Sequence, residues 1–432
     1  MPSPLQISVD AIQIGMYVSQ LDRPWLETPF LFQGFMVRSE DDIIAIRRHC
    51  EFVYVDQAQS TVTTLPQVSP GSEPKHATQP AQKPKKRSLF ARLTRRKPAE
   101  PAPDYEATGC FYRDTTGVQD ELIPAATIHD TAADAVEEIF ATLKTTKKLD
   151  MGTLATAVDP MIDSVLRNQE AVACLARMKR KDDYLYSHSL ASSVWALLLG
   201  RHLGLDRESL LAVGLGAMLL DVGKTLLPTE LLIKKGNLTP AEHKLMQGHV
   251  NVGVKIVQDN PDADRRVIEM VANHHERHNG TGYPRGLTGN DIPVYGRIAG
   301  LVDSYDAMIT QRPYAAAMSS LDAMRQFRLR ADVDFQSEMV EQFIQAIGAF
   351  PTGTLVELNT GEVGIVMSQN KMRRLRPTIM LVLDAAKQPR NDFPLIDLSI
   401  QTKAEGDQES LWIEQGLEPC AYGIDPAEFY LS

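Results

Sequence analysis

The sequence is poor in the features that mark secreted, disulfide-stapled or membrane-spanning chains. Its four cysteines, Cys50, Cys110, Cys174 and Cys420, lie far apart with no CxxC spacing, which argues against a disulfide framework or a zinc ribbon and leads to the expectation of a cytoplasmic protein. No uninterrupted apolar run reaches the ~18 residues a membrane helix needs. The opening MPSPLQISVDAIQIG lacks a basic region ahead of a long apolar one, so neither spanning nor export is expected. Internal repeats are absent. Basic residues are in deficit, 45 Lys and Arg against 55 Asp and Glu, for a net charge of -10, which argues against a partner that is a nucleic-acid polymer. What is present is a chain of 432 residues, 43% hydrophobic and 23% charged, long enough to bury a sizeable core in two or three domains.

The acid excess is interrupted between Lys75 and Pro98, where nine Lys or Arg stand without one acidic residue. This stretch sits in a Pro-, Ser- and Gln-rich segment, 64–107, that reads as a disordered basic linker. Within it, SLFARLTRR has the pattern of a short basic amphipathic patch suited to an anionic membrane surface or an acidic signalling protein. Ahead of the linker, 1–63 alternates short apolar runs with Gly, Pro and Asp breaks and reads as a small β-rich module, with DDIIAIRRHC from Asp41 as a helix. Residues 108–181 read as connecting helices and 182–349 as a helical domain, carrying runs such as SLASSVWALLLGRHL. From 350 to 432, TGTLVEL, GEVGIVMSQ and PTIMLVLD predict a β-rich C-terminal module. The expected fold is multidomain α+β, an all-α bundle flanked by two small β-rich modules.

Chemistry concentrates in the helical part. Seven of the ten histidines fall between His188 and His278. His274 and His275 are adjacent, and at helical spacing they are expected on different sides of a helix. Asp303 and Asp306, in LVDSYDAM, stand at i and i+3 on one helix face. An apolar run from Leu210 ends in Asp221-Val-Gly-Lys224. Burying an ionised Asp costs several kcal/mol unless a cation or hydrogen bonds compensate it. Histidines and aspartates drawn from several helices of a bundle form metal centres in this way.

These residues carry a family resemblance. HHERHNGTGYPRGLTGNDIPVYGRI resembles the signature HHExxxGxGYPxGLxGxxIPxxxRI of the HD-GYP domain, a branch of the HD phosphohydrolase superfamily, with Glu276, Gly280, Gly282, Tyr283, Pro284 and Arg297 at defining positions. LLDVGKTLLP, LIKKGNLTPAE and RPY from Arg312 to Tyr314 are similar to its flanking segments, and GMYVSQLDRPWLETPFLFQGF resembles a domain of unknown function often found ahead of it. The resemblance implies an HD-type helical bundle that hydrolyses the bacterial messenger cyclic di-GMP, to the linear dinucleotide or GMP, with divalent metals, often iron or manganese. It implies His188, Asp221 and Asp303 as ligands of a first metal, and His249, His274, His275 and the bridging Asp221 as ligands of a second. It implies Lys224 and Arg312 on the substrate phosphate and Asp306 as a polar group beside the centre. Lys224, Asp221 and Asp306 are the expected catalytic residues. Gly282 and Tyr283, in a glycine-rich loop whose amides are expected to face the substrate, join Lys224 and Arg312 as substrate contacts.

The chain departs from the pattern at three places. Leu220 stands where the family has its name-giving histidine, which leaves the first metal His188, Asp221 and Asp303 alone. Tyr184 stands where three-metal members carry a glutamate, so two metals are expected. Ala315 stands where many members have a basic residue. The alternative expectation is therefore a degenerate domain that binds a nucleotide or a protein and signals without catalysis.

Overall fold

Strand periodicity at one end of the chain and helical periodicity in the middle give two compact units, 1–103 and 104–432, in a computed structural model. The structure describes residues 5–22, 35–37, 40–56, 60, 110, 112–178, 184–234, 236–311, 316–370, 373–400 and 411–430. The basic stretch Lys75–Pro98, Arg312, Tyr314, Ala315 and the Tyr184 side chain lie outside the described residues.

In the first unit β1 (Leu5–Ser8), β2 (Tyr17–Leu21), β3 (Phe35–Met36), α1 (Glu40–His49) and β4 (Phe52–Asp56) form an antiparallel sheet of order β1-β4-β2-β3 with one helix. Val53 and Val55 on β4 point inward at the two-residue period of a strand, toward Ile7 and Val18. Ile43 and Ile46 of α1 and the following Cys50 lie in the same core, while Ile44 faces solvent. That is the burial a helix with one apolar stripe requires.

The second unit begins with α2 (Val118–Thr146), α3 (Met151–Arg167) and α4 (Gln169–Met178), followed by α5 (Tyr184–His202) and α6 (Arg207–Met218). After a 3-10 turn at Val222–Leu226 come α7 (Thr229–Leu232), α8 (Pro240–Gln247), α9 (His249–Gln258), α10 (Arg265–Asn273), α11 (Val294–Ile309), α12 (Ser320–Leu329) and α13 (Ser337–Ile347). Residues Arg207–Leu226 are long and apolar enough to resemble a membrane span, but 83% of their most apolar window is buried inside the protein. They are its core: α6 packs against α3, α5 and α10, and its C-terminal end delivers Asp221 to the interior.

Five strands follow, β5 (Leu355–Leu358), β6 (Val363–Ser368), β7 (Thr378–Leu383), β8 (Leu395–Asp397) and β9 (Ile413–Gly416), in an antiparallel sheet of order β8-β7-β6-β5-β9, and then α14 (Ala427–Tyr430). The sheet is tied to the helices by Glu170 of α4, a buried carboxylate that accepts from Thr352 Oγ1 at 3.0 Å and Gln369 N at 2.8 Å. Thus a mostly helical body is accompanied by two small antiparallel sheets.

Candidate metal centre

Five segments bring their polar side chains into one buried cluster. His188 comes from α5, Asp221 from the turn after α6, His249 from the first position of α9, His274 and His275 from the turn that ends α10, and Asp303 from α11. Donor atoms of Asp221, His249, His274 and His275 lie within 4.8 Å of one another, and so do those of His188, Asp221 and Asp303. Asp221 belongs to both groups. The adjacent histidines are not on different sides of a helix, because α10 ends at Asn273 and the pair sits on the turn beyond it. Their ring centroids are 4.0 Å apart, and both rings lie beside that of His249.

The hydrogen-bond pattern fixes which nitrogens face inward. His249 Nδ1 lies 2.7 Å from Met246 O, and His274 Nδ1 lies 2.9 Å from Val271 O. A carbonyl only accepts, so each Nδ1 carries the proton and each Nε2 presents a lone pair. Those two Nε2 atoms are 3.2 Å apart. Asp221 Oδ1 stands 3.3 Å from His249 Nε2 and 3.9 Å from His274 Nε2, buried and without a hydrogen-bond donor among the described residues. Lone pairs converging on an orphaned carboxylate oxygen repel one another unless a cation lies between them, so the donor set fits a divalent metal ion. In the other group His188 Nε2 lies 3.2 Å from Asp303 Oδ1 and 3.8 Å from Asp221 Oδ2.

The electrostatics agree for the four-member group. Burial disfavours charge on the histidines and holds His249 below its ordinary pKa, His274 at about 4 and His275 well below its usual range, so all three are neutral ligands at neutral pH. Burial opposes charge on His188 too, but hydrogen bonds to Asp303 and Asp306 outweigh it and push its pKa up to about 10. Burial also opposes ionisation of Asp221, yet Lys224, His249 and His188 keep it well below the carboxylate range. Lys224 donates to Asp221 Oδ2 at 2.6 Å and remains partly exposed.

For three of the expected residues the structure shows contacts within the protein. Asp306 does not face the cluster. It is fully buried behind His188, with Oδ2 2.7 Å from His188 Nδ1 and accepting from Thr310 Oγ1 at 3.3 Å, and Oδ1 accepting from Trp195 Nε1 at 3.2 Å. It therefore acts through His188 rather than on a substrate. Gly282 is pressed on the histidine turn, where a Cβ would stand 2.4 Å from both His275 O and Arg277 N. Tyr283 lies against the His275 ring at 4.6 Å, and its N–H donates to His275 O at 3.1 Å. The loop amides turn inward as well: Glu276 accepts from Arg285 N at 2.8 Å and Leu287 N at 2.9 Å. The glycine-rich loop is a brace for the histidine pair, not an open cradle. Sequence reasoning missed Trp195, which reads as one more apolar residue of α5, and Arg277. The Arg277 guanidinium donates to His274 O and Glu276 O at 2.9 Å and lies over the Phe335 ring.

Residues 167–338 match the HD domain, residues 5–154 a domain of unknown function and residues 355–404 a KOW domain associated with HD domain. The chain is 29% identical over 395 residues to a cyclic di-GMP phosphodiesterase of Pseudomonas aeruginosa, covering 91% of this chain and 88% of that protein. A cyclic di-GMP phosphodiesterase of Thermotoga maritima is 33% identical over 148 residues, 34% of this chain and 40% of the relative. The 3'3'-cGAMP-specific phosphodiesterase 2 of Vibrio cholerae is 34% identical over 126 residues, 29% of this chain and 24% of the relative. The chain thus spans most of the first relative and less than half of the other two.

Proposed function

Because the chain belongs to the HD-GYP branch of HD-domain proteins, we propose that it is a metal-dependent phosphodiesterase that opens cyclic di-GMP, releasing the linear dinucleotide or, after a second cut, GMP. The observation that carries this reading is the pair of donor groups sharing Asp221, with one carboxylate oxygen orphaned between two imidazole lone pairs. His249, His274, His275 and Asp221 would hold one ion, and His188, Asp221 and Asp303 the other. Iron or manganese suits such a mixed imidazole and carboxylate set. When bound, a pair of divalent ions supplies a hydroxide nucleophile at neutral pH and neutralises charge developing on the phosphate.

The chain's own residues do the rest. Lys224, bonded to Asp221 and partly exposed, holds a positive charge at the edge of the cluster where a phosphodiester would approach. Arg312 is assigned the same task on the phosphate. Asp303 sits against both His188 and, at 3.9 Å, His275, so it fixes the spacing of the two groups. The free cysteines support a cytoplasmic setting, and the basic stretch Lys75–Pro98 is assigned to an anionic membrane surface or an acidic signalling protein. Retention on anionic but not neutral vesicles, lost on deleting that stretch, would identify the lipid, and unchanged retention would remove the assignment.

The test of function is anaerobic purification with metal analysis, followed by turnover of cyclic di-GMP and of 3'3'-cGAMP side by side. Metal-dependent hydrolysis of cyclic di-GMP that disappears in His275→Ala is the expected result. Preferential hydrolysis of the mixed dinucleotide would change the substrate. Leu220, buried and without a lone pair, favours the second reading, a domain that signals without catalysis; tight nucleotide binding with no hydrolysis under any metal would select it.

A further inference from the structure

The geometry points to Trp195 as the positioning residue that fixes the tautomer and ring orientation of His188, and thereby the strength of the His188, Asp221, Asp303 group. This rests on that group holding a metal ion, as proposed above. Trp195 follows His188 on α5 by seven residues, two helical turns along the same face. Its indole is fully buried and stands edge-on to Tyr305, with centroids 5.2 Å apart. An indole N–H only donates, so Nε1, 3.2 Å from Asp306 Oδ1, commits that oxygen to accepting. Oδ2 accepts from Thr310 Oγ1 and faces His188 Nδ1 at 2.7 Å. With its other contacts fixed as donors, Asp306 accepts the hydrogen bond of His188 Nδ1–H, so Nε2 is the nitrogen left to turn a lone pair toward a metal ion beside Asp303 and Asp221. If Asp306 instead offered a donor, His188 would carry its proton on Nε2 and stop being a ligand.

Two contrasts make this arrangement matter in this chain. His249 and His274 are oriented by backbone carbonyls, which side-chain substitution leaves in place. His188 is oriented through side chains two steps deep. The group it serves has three donors, since Leu220 brings no lone pair beside Asp221, and a misdirected His188 has no substitute there.

The experiment is a Mn2+ titration of the metal-free full-length chain, read by calorimetry and electron paramagnetic resonance, for the unaltered protein, Trp195→Phe, Asp306→Asn and the double variant, each with its thermal unfolding curve. The unaltered chain should take up two equivalents. Trp195→Phe should leave one site unchanged and weaken the other, up to the roughly 10- to 100-fold that loss of a ligand's own hydrogen-bond partner costs. In Asp306→Asn the indole N–H holds the amide oxygen, the amide N–H turns to His188, and the weaker site should vanish. Removing the indole in the double variant frees the amide to turn its oxygen to His188, so that variant should bind better than Asp306→Asn alone. Additive losses, equal weakening of both sites, or an unchanged titration of Trp195→Phe would overturn the inference. Benzothienylalanine at position 195, which keeps the bicyclic shape without the N–H, gives the same reading should Trp195→Phe not fold. A single equivalent in the unaltered chain would overturn the two-group reading with it, whereas two equivalents in every variant would overturn the role of Trp195 alone.

Discussion

At the scale of residues, the centre is governed by one oxygen. Asp221 Oδ1 is buried without a donor among the described residues, a situation that costs about 1–3 kcal/mol and more for a charged group, and His249 Nε2 and His274 Nε2, 3.3 and 3.9 Å away, are acceptors themselves. His274→Ala or His275→Ala removes a donor from the four-member group and should lower bound metal sharply. His278→Ala should not, since His278 is outside both donor groups. Metal content determined by mass spectrometry checks this, and equal values in all three variants would dismiss the assignment. Leu220 is 1% exposed. Leu220→His is expected to add a donor beside Asp221 and tighten the three-member group, read by Mn2+ titration with turnover following occupancy. Thermal unfolding must accompany it, because an imidazole forced into apolar packing would cost about 1–3 kcal/mol. A folded Leu220→His chain with an unchanged titration would show that this position does not reach the cluster. The donors themselves were legible in the sequence because a metal requires particular residue types. The role of Asp306 was not, because i, i+3 spacing with Asp303 says that two carboxylates share a helix face, not that His188 lies against one of them on either side.

Elements meet at this centre more closely than side chains allow. A Cβ on Gly223 would lie 1.9 Å from His249 O and 2.7 Å from Gly253 N, so the 3-10 turn carrying Asp221 and Lys224 touches the start of α9 backbone to backbone. Gly223→Ala must part them, and with them Asp221 and His249, whose facing atoms are 3.3 Å apart. The expected outcome is a loss of about 1–3 kcal/mol or more together with weaker metal binding, measured by urea unfolding and titration on the same preparation. Gly236→Ala is the control: its φ of +97° carries strain, but nothing lies within 4 Å of the added carbon, so stability should fall modestly and metal binding stay as it was. Loss of stability with full metal affinity in Gly223→Ala would contradict the argument. The helical periods of α5, α6 and α11 could be read from the chain, and so could the apolar run that ends in Asp221. The end of α10 could not, since ANHHE continues a helical pattern and only the packing of the following loop on the histidine turn, through Gly282 and Glu276, shows where the helix stops. The reason for Gly223 was equally hidden, because the backbone it meets comes from residues 249–253.

At the scale of the molecule, the donors of the centre and their hydrogen-bond partners among the described residues lie within the unit 104–432. The two sheets were visible in the sequence as period-two apolar runs, but the attachment of the second one was not. Glu170 in QEAVACLARM reads as an exposed helix charge, the usual place for one, whereas it is 6% exposed and satisfied by Thr352 and Gln369 from the strand-bearing segment. Nearby, Gly353 has a φ of +84° and a Cβ there would stand a tight 3.1 Å from Cys174 Sγ, and Tyr430 of α14 donates to Val366 O at 2.5 Å. Burial has pushed the Cys174 thiol up to about 12, which marks how thoroughly this junction excludes water. These contacts predict opposite responses to truncation at the two ends. A chain starting at Asp104 keeps Tyr112, whose hydroxyl donates to Leu205 O, and should retain the unfolding temperature and metal content of the helical body. A chain ending at Ile347 removes Thr352 and Gln369 from the Glu170 carboxylate and uncovers the α4 face around Cys174; each lost hydrogen bond to a charged group is worth about 1.5–3 kcal/mol, a large share of the roughly 5–15 kcal/mol that holds a domain folded. Calorimetry on both fragments, with metal determined after dialysis, should find the first intact and the second unfolding earlier with less metal. The reverse order would mean that the C-terminal sheet is dispensable to the helices, and that the stability of the metal centre comes from the residues before Asp104.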